Sequence, residues 1–241
     1  MAQYDRQTLN ARAGSAAAID EGLRSYMLSV YNYMGLGLVV TGLVAYFFNQ
    51  WAFSSEANAQ LIYGSPLAWV IMLAPLAFVL VLSFGISKMS VGAAQATFWA
   101  FAAVMGLSLS SIFSVYTDAS IARVFFITAA TFGAMSLYGY TTKRDLTSIG
   151  NFLIMGLIGL IIAMIVNIFL QSSMLEFAIS AIGVLIFVGL TAYDTQKIKE
   201  SYSAGFGAEV LAKGAIMGAL SLYLDFINLF LMLLRLFGNR E

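Results

Sequence analysis

The chain has no cysteine and no histidine, only two prolines, and charged residues fill just 10% of its 241 positions. Each shortage excludes a class of chemistry. Without cysteine there can be no disulfide, no thiol nucleophile and no thiolate ligand for an iron–sulfur cluster. Without histidine, no side chain titrates near neutrality in its ordinary range. A pH response there would have to come from carboxyl groups displaced by burial. Lys plus Arg and Asp plus Glu each number 12, so no excess of positive charge recommends nucleic acid as a partner. Against the roughly 25% charge of an ordinary soluble domain, this chain cannot cover a water-facing surface with polar groups.

Apolar residues are what it has in excess: 61% of the sequence, with a mean hydropathy of +0.87. Runs long enough to cross a hydrocarbon layer of about 30 Å recur along the whole length. They are continuous rather than alternating in and out, which selects helices over a barrel, the only two ways to satisfy a backbone in lipid. The expected fold is therefore all-α, a polytopic membrane protein with about seven transmembrane helices. Candidate spans fall at 26–48, 66–87, 93–115, 121–140, 149–170, 177–195 and 208–237. Residues 26–241 then form a single membrane domain. Residues 1–25 lack the apolar core and cleavage site of a signal peptide and read as a polar cytoplasmic tail, or alternatively as a short surface helix around 16–19. Pro75, inside the second span, removes a backbone donor and should kink it. Gly35 with Gly42, Gly156 with Gly159, Gly183, and Gly214 with Gly218 read as packing positions where helix backbones approach closely.

Placing the amino terminus in the cytoplasm puts Arg6, Arg12, Arg24, Lys88, Lys143, Arg144, Lys197, Lys199 and Lys213 on the inner side, as the positive-inside rule asks. The opposite loops carry Glu56, Asp118 and Glu176, with Arg123 as an exception. Arg235 and Arg240 fit less well. Seven full crossings place the carboxyl terminus outside, whereas a re-entrant last segment would return it to the cytoplasm.

Two aspartates stand out on energetic grounds. Asp225 lies near the middle of the last apolar run, where an acid costs roughly 2.5 to 3.5 kcal/mol to insert. At steps of three and four, Gly214, Gly218, Ser221, Asp225, Asn228, Met232 and Arg235 share one helix face, which must look toward protein or water. The last helix is thus expected to be central. Asp194, in Tyr193-Asp194-Thr195-Gln196-Lys197, ends a second such face built from Ser180, Gly183, Phe187 and Thr191. Its other reading is an ion pair at a helix end with Lys197. In straight helices Asp194 would lie shallower than Asp225 by about 10 Å at 1.5 Å per residue, a gap that tilt or bending must close. Two acids held together in a low dielectric cannot both ionise cheaply, and so they share a proton. When both ionise, they suit a hard cation such as calcium, with which protons would compete.

At these residues the sequence resembles the Bax-inhibitor family. The likeness rests on Ala192-Tyr-Asp-Thr-Gln-Lys-Ile-Lys, on Ala219-Leu-Ser-Leu-Tyr-Leu-Asp-Phe-Ile-Asn-Leu-Phe-Leu, on Tyr31-Asn-Tyr-Met-Gly-Leu-Gly and on Leu234-Arg-Leu-Phe-Gly. It looks most like the bacterial YccA-like branch. The resemblance implies a last helix wrapped by six others, in the bacterial inner membrane. It also implies a pH-sensitive calcium leak controlled by a pair of aspartates at the positions of Asp194 and Asp225. Ser221, Asn228 and Tyr193 would support that pair, and any bound metal would be calcium held between the two carboxyls, with no other cofactor. In leak members an arginine ending the second span latches onto the aspartate of the sixth. Here Lys88 is the sole local candidate to replace it, set against its plainer reading as a positive-inside lysine in a short cytoplasmic loop, and a glutamate found earlier in that span is also replaced. The same branch implies an alternative, a non-catalytic regulator of a membrane protease such as FtsH. An enzyme is not expected. Tyr193-Asp194 superficially matches intramembrane aspartyl proteases, but Asp225 lacks the Gly-x-Gly-Asp context and no Pro-Ala-Leu follows. A retinal protein would need a mid-helix lysine where Asp225 stands.

The topology has a direct test in a cysteine-free chain. Glu56→Cys should react with an impermeant maleimide from outside intact cells, and Lys143→Cys only after permeabilisation. Labelling of position 56 from the cytoplasmic side alone would reverse the assignment.

Overall fold

The computed structural model describes residues 2–240, with side chains described from Ile19 onward. Its α-helices are α1 (Ala2–Ala52), α2 (Glu56–Tyr63), α3 (Leu67–Gly85), α4 (Val91–Leu109), α5 (Asp118–Thr141), α6 (Thr147–Leu170), α7 (Ser173–Glu200) and α8 (Ala208–Phe237). A tighter turn, Ser110–Ser114, extends α4. All but α2 contain a stretch long and apolar enough to cross a membrane, so the architecture is all-α with 7 candidate spans among the described residues. Every span drawn from sequence has its helix. The short α2 was not anticipated. It is nucleated by Ser55, whose hydroxyl accepts the Asn58 N–H at 3.2 Å. The polar segment before residue 26 continues into α1 without a backbone break. The side chains of Arg6 and Arg12, and those at 16–18, lie outside the described set. Helix α3 runs unbroken through the buried Pro75.

Helix α8 is the axis. Of its most apolar window 72% is buried, against 11% for α3 and 6% for α6. It packs on α1, α3, α4, α5 and α7, and its buried residues include apolar side chains outside the polar stripe, such as Leu222, Tyr223, Phe226 and Leu229. The expected wrapping by six helices needs one correction. Helix α6 packs on α7 instead, and its Ile158, Ile162, Ile165 and Phe169 are exposed where lipid would lie. Helices α1, α3 and α4 form one sheaf, α5, α6 and α7 a second, and α8 runs between them. Direct contact between the sheaves is slight: α1 meets α7 at a few positions and reaches α5 through the Tyr31–Ser136 hydrogen bond.

Close approach within the second sheaf depends on missing side chains. A methyl group on Gly139 of α5 would overlap the Ala192 backbone of α7, and one on Gly150 of α6 would overlap the Tyr193 ring. These contacts fix the rotation of α7 at the level of Asp194. The loop before α6 is pinned to the same turn. Leu146 N–H donates to Gln196 Oε1 at 2.8 Å, and Gln196 Nε2 donates to the Arg144 carbonyl at 2.8 Å. Thr147 donates to Asp145 and holds that exposed carboxyl below its ordinary range.

At the other end, α8 runs unbroken through the bundle. Its 30 residues span about 45 Å, and the chain beyond is tied to the loop before α5. Thr117 N–H donates to the Asn239 carbonyl at 3.1 Å and Asn239 N–H to Ser120 Oγ at 2.9 Å. Arg240 pairs with Glu176 at 3.2 Å and lies over the Tyr116 ring. The carboxyl end thus shares a face with Tyr116 and Glu176, and the re-entrant alternative is set aside.

Gly139→Ala should therefore destabilise the fold by about 1–3 kcal/mol through overpacking. Gly159→Ala, where an added methyl meets nothing within 4 Å, should stay within about 0.5 kcal/mol of the parent. Unfolding in mixed detergent micelles measures both.

Candidate functional site

Helices α7 and α8 form the most extensive pair in the protein. Gly183 of α7 accepts Met232, and Gly218 of α8 accepts Ile198. With the helices antiparallel, these two contacts set the register: Asp194 lies level with about residue 222, and Asp225 about three residues deeper. At 1.5 Å per residue the offset is only about 4.5 Å, within the reach of two aspartate side chains. The depth gap expected from straight helices is closed by register.

The two carboxyl groups face each other within hydrogen-bonding reach. Asp225 is 5% exposed and its Oδ2 has no partner among the described protein groups. The polar residues around it spend their donors locally. Thr191 donates to the Phe187 carbonyl, Thr195 to Thr191, and Asn228 Nδ2 to Leu224 at 2.8 Å. No hydrogen bond joins Ser221, Asn228 or Tyr193 to either acid. A buried carboxylate without a donor is costly, and the group facing Asp225 is a second carboxyl. A proton shared by the pair would be the donor that the surrounding side chains do not supply.

Positive charge reaches the pair from Lys197, which acts on Asp194 from one turn along α7 and lies 5.8 Å from the centre of the Tyr193 ring. Lys88 is exposed at the end of α3 and forms no ion pair with either aspartate. Of the two readings of Lys88, the plain lysine of a short positive-inside loop fits this conformation and the latch does not.

On the far side of α7 lies a hydroxyl chain that the sequence reading did not pick out. Tyr31 of α1 hydrogen-bonds to Ser136 of α5, and Ser136 to Thr195 at 3.0 Å. A second pair joins Tyr223 of α8 to Thr41 of α1 at 2.6 Å, with Thr41 also donating to the Ala102 carbonyl. The signal was present in α5, where Ser120, Val124, Thr128, Phe132 and Ser136 recur every four residues and are all buried.

As a fit for calcium, the pair is sparse. Calcium takes 6–8 oxygens, two carboxyls offer four at most, and no group of three or more acids clusters among the described residues. Such a pair can meet a partly hydrated ion in passage.

The two lysines can be separated spectroscopically. The protonated-carboxyl infrared band of the pair should vanish at a different pH in Lys197→Gln than in the parent, and at the same pH in Lys88→Gln. Equal effects of the two substitutions would restore Lys88 as a partner.

Comparison with known proteins adds independent evidence. Residues 23–241 match the family model described as inhibitor of apoptosis-promoting Bax1. The chain is 53% identical over 222 residues to the uncharacterized protein RP147 of Rickettsia prowazekii, covering 92% of each. It is 49% identical over 238 residues to the inner membrane protein YbhL of Escherichia coli K12, covering 95% of this chain and 98% of that one. It is also 46% identical over 235 residues to an uncharacterized protein of Caulobacter vibrioides, covering 93% and 92%.

Proposed function

The chain belongs to the Bax-inhibitor family of multi-pass membrane proteins, and from that premise we propose that it is a pH-sensitive calcium or cation leak gated by Asp194 and Asp225. It works in the bacterial inner membrane, the location named for its relative YbhL, with its amino terminus in the cytoplasm. The observation that carries the reading is an aspartate in the central helix, 5% exposed, whose facing polar group is another aspartate.

With one proton shared, the pair holds α7 against α8 and no net attraction for cations is left beyond a single charge. Loss of that proton puts two negative charges within hydrogen-bonding distance in a low dielectric, where repulsion is strong. The carboxyls then separate or recruit a cation. Among the described residues Lys197 is the cation that acts on Asp194, and the hydroxyls of Thr195 and Ser136 do not ionise in this range. The protein has no catalytic role in this scheme, since the carboxyls bind and release a proton and an ion without breaking a bond.

A second reading, a regulator of a membrane protease, is favoured by α1. Its 51 residues extend about 76 Å, more than twice the thickness of a hydrocarbon core of about 30 Å. A helix of that length offers a partner a handle beyond the bilayer.

Flux into proteoliposomes containing only the purified protein, read with a calcium dye over a pH series, tests the first reading. Parent flux should vary with pH, and Asp194→Asn and Asp225→Asn should each flatten that dependence while keeping the helical fold. If both variants retain the parent profile, the acids are structural. Deletion of residues 2–18 should leave flux intact and abolish only protease regulation.

A further inference from the structure

The two sheaves leave a gap between α1 and α5. It forms a groove of about 610 Å³ with Arg24 at one end and Met34 with Phe132 at the other. A second hollow of about 520 Å³ continues it past Gly35 and Gly42, sharing Met34 and Phe132 and floored by Phe226 of α8. The glycines here do the opposite of what their spacing suggested. A side chain added at Gly35, Gly42 or Gly133 would meet nothing within 4 Å. They carve space and leave it unfilled.

Three observations identify the occupant. The first is depth. Arg24 to Met34 is ten residues, about 15 Å along α1, or half of a hydrocarbon core of about 30 Å, which is the reach of one leaflet. The second is lining. Between the Arg24 end and Met34 the walls are chiefly apolar, with Met27, Leu28, Phe132, Gly133 and Leu137, which suits an alkyl chain. The third is charge. Arg24 is the one charged residue lining the groove, it is exposed, and it forms no ion pair among the described residues. A cation at headgroup level above a one-leaflet apolar slot complements a phosphate above an acyl chain.

We propose that the α1–α5 groove is a binding site for an anionic phospholipid of the leaflet on the Arg24 side, with one acyl chain lying between Arg24 and Met34 and its phosphate on Arg24. Tyr31 and Ser136, which line the groove, connect its wall to Thr195 through the hydroxyl chain. The bound lipid would therefore lie over the hydroxyl chain that joins the two sheaves, beside the turn of α7 that carries Asp194.

The full-length protein in micelles containing equal phosphatidylglycerol and phosphatidylcholine tests this, with retained lipid counted by native mass spectrometry. The parent should retain phosphatidylglycerol in preference. Arg24→Gln should reduce that preference about fivefold, the effect of one basic residue near a membrane surface, while still retaining lipid. Gly133→Leu, which projects from the α5 wall of the groove, and Gly35→Leu, on α1 where the second hollow continues it, both into open space, should each lower retention of both lipids, with unchanged helicity confirming that they fold. Equal retention of the two lipids by the parent would overturn the proposal. So would undiminished retention in both leucine variants, or efficient disulfide formation between copies of Gly133→Cys, which would mean that a second copy fills the groove.

Discussion

An acid in the middle of the last helix has to be kept from lipid, and much of the arrangement follows from that requirement. An aspartate at mid-membrane costs roughly 2.5 to 3.5 kcal/mol even on the lenient insertion scale, so Asp225 cannot lie on an outer surface. Its helix takes the axis, and five others cover it. Shielding alone is insufficient, because a buried carboxyl also needs a donor. The neighbouring hydroxyls and amide are committed to their own helix backbones. That leaves Asp194 as the facing group, so the register of α7 on α8 becomes a chemical matter as well as one of packing. Gly183 and Gly218, seating Met232 and Ile198, set that register.

Much of this was legible in the sequence, for identifiable reasons. The spans were readable because an apolar run of bilayer length has few alternatives, and the centrality of α8 because Asp225 interrupts one. The pairing of Asp194 with Asp225 could be suspected from two inward stripes, but its feasibility could not, since depth in a helix pair depends on register and register on which small residue meets which large one. Lys88 stayed open between a latch and a plain loop lysine for a related reason: α3 packs chiefly on α4, and adjacency of helices is not written in their ends. Nor was it legible that α6 would pack on α7 away from the axis, because a uniformly apolar helix carries no mark of which face meets protein and which meets lipid.

Glycine shows the limit most clearly. Gly139 and Gly150 lie against backbone and ring with no room for a methyl group, while Gly35, Gly42 and Gly133 stand over open space. Within a helical span both groups look alike, since spacing reports a shared face and says nothing of what that face meets. The same absence of a side chain draws α5, α6 and α7 together and leaves α1 and α5 apart.

That difference bears on how the carboxyl pair can act. A tightly packed interior is bistable and does not deform smoothly, so any change at Asp194 must be taken up where packing is already incomplete. The second sheaf is locked around α7 by Gly139, Gly150 and the two hydrogen bonds of Gln196, and it moves, if at all, as a body. The weak boundary is the one between the sheaves, where α1 and α5 enclose the groove and the Tyr31–Ser136–Thr195 hydroxyls provide the cross-links. Separation of two like charges at the α7–α8 contact would therefore be expressed as displacement of the α5–α6–α7 sheaf relative to α1, with those hydroxyl contacts breaking first. Whatever fills the groove would then set the cost of that displacement, so the proposed lateral ligand and a shared proton would act on the same boundary from opposite sides.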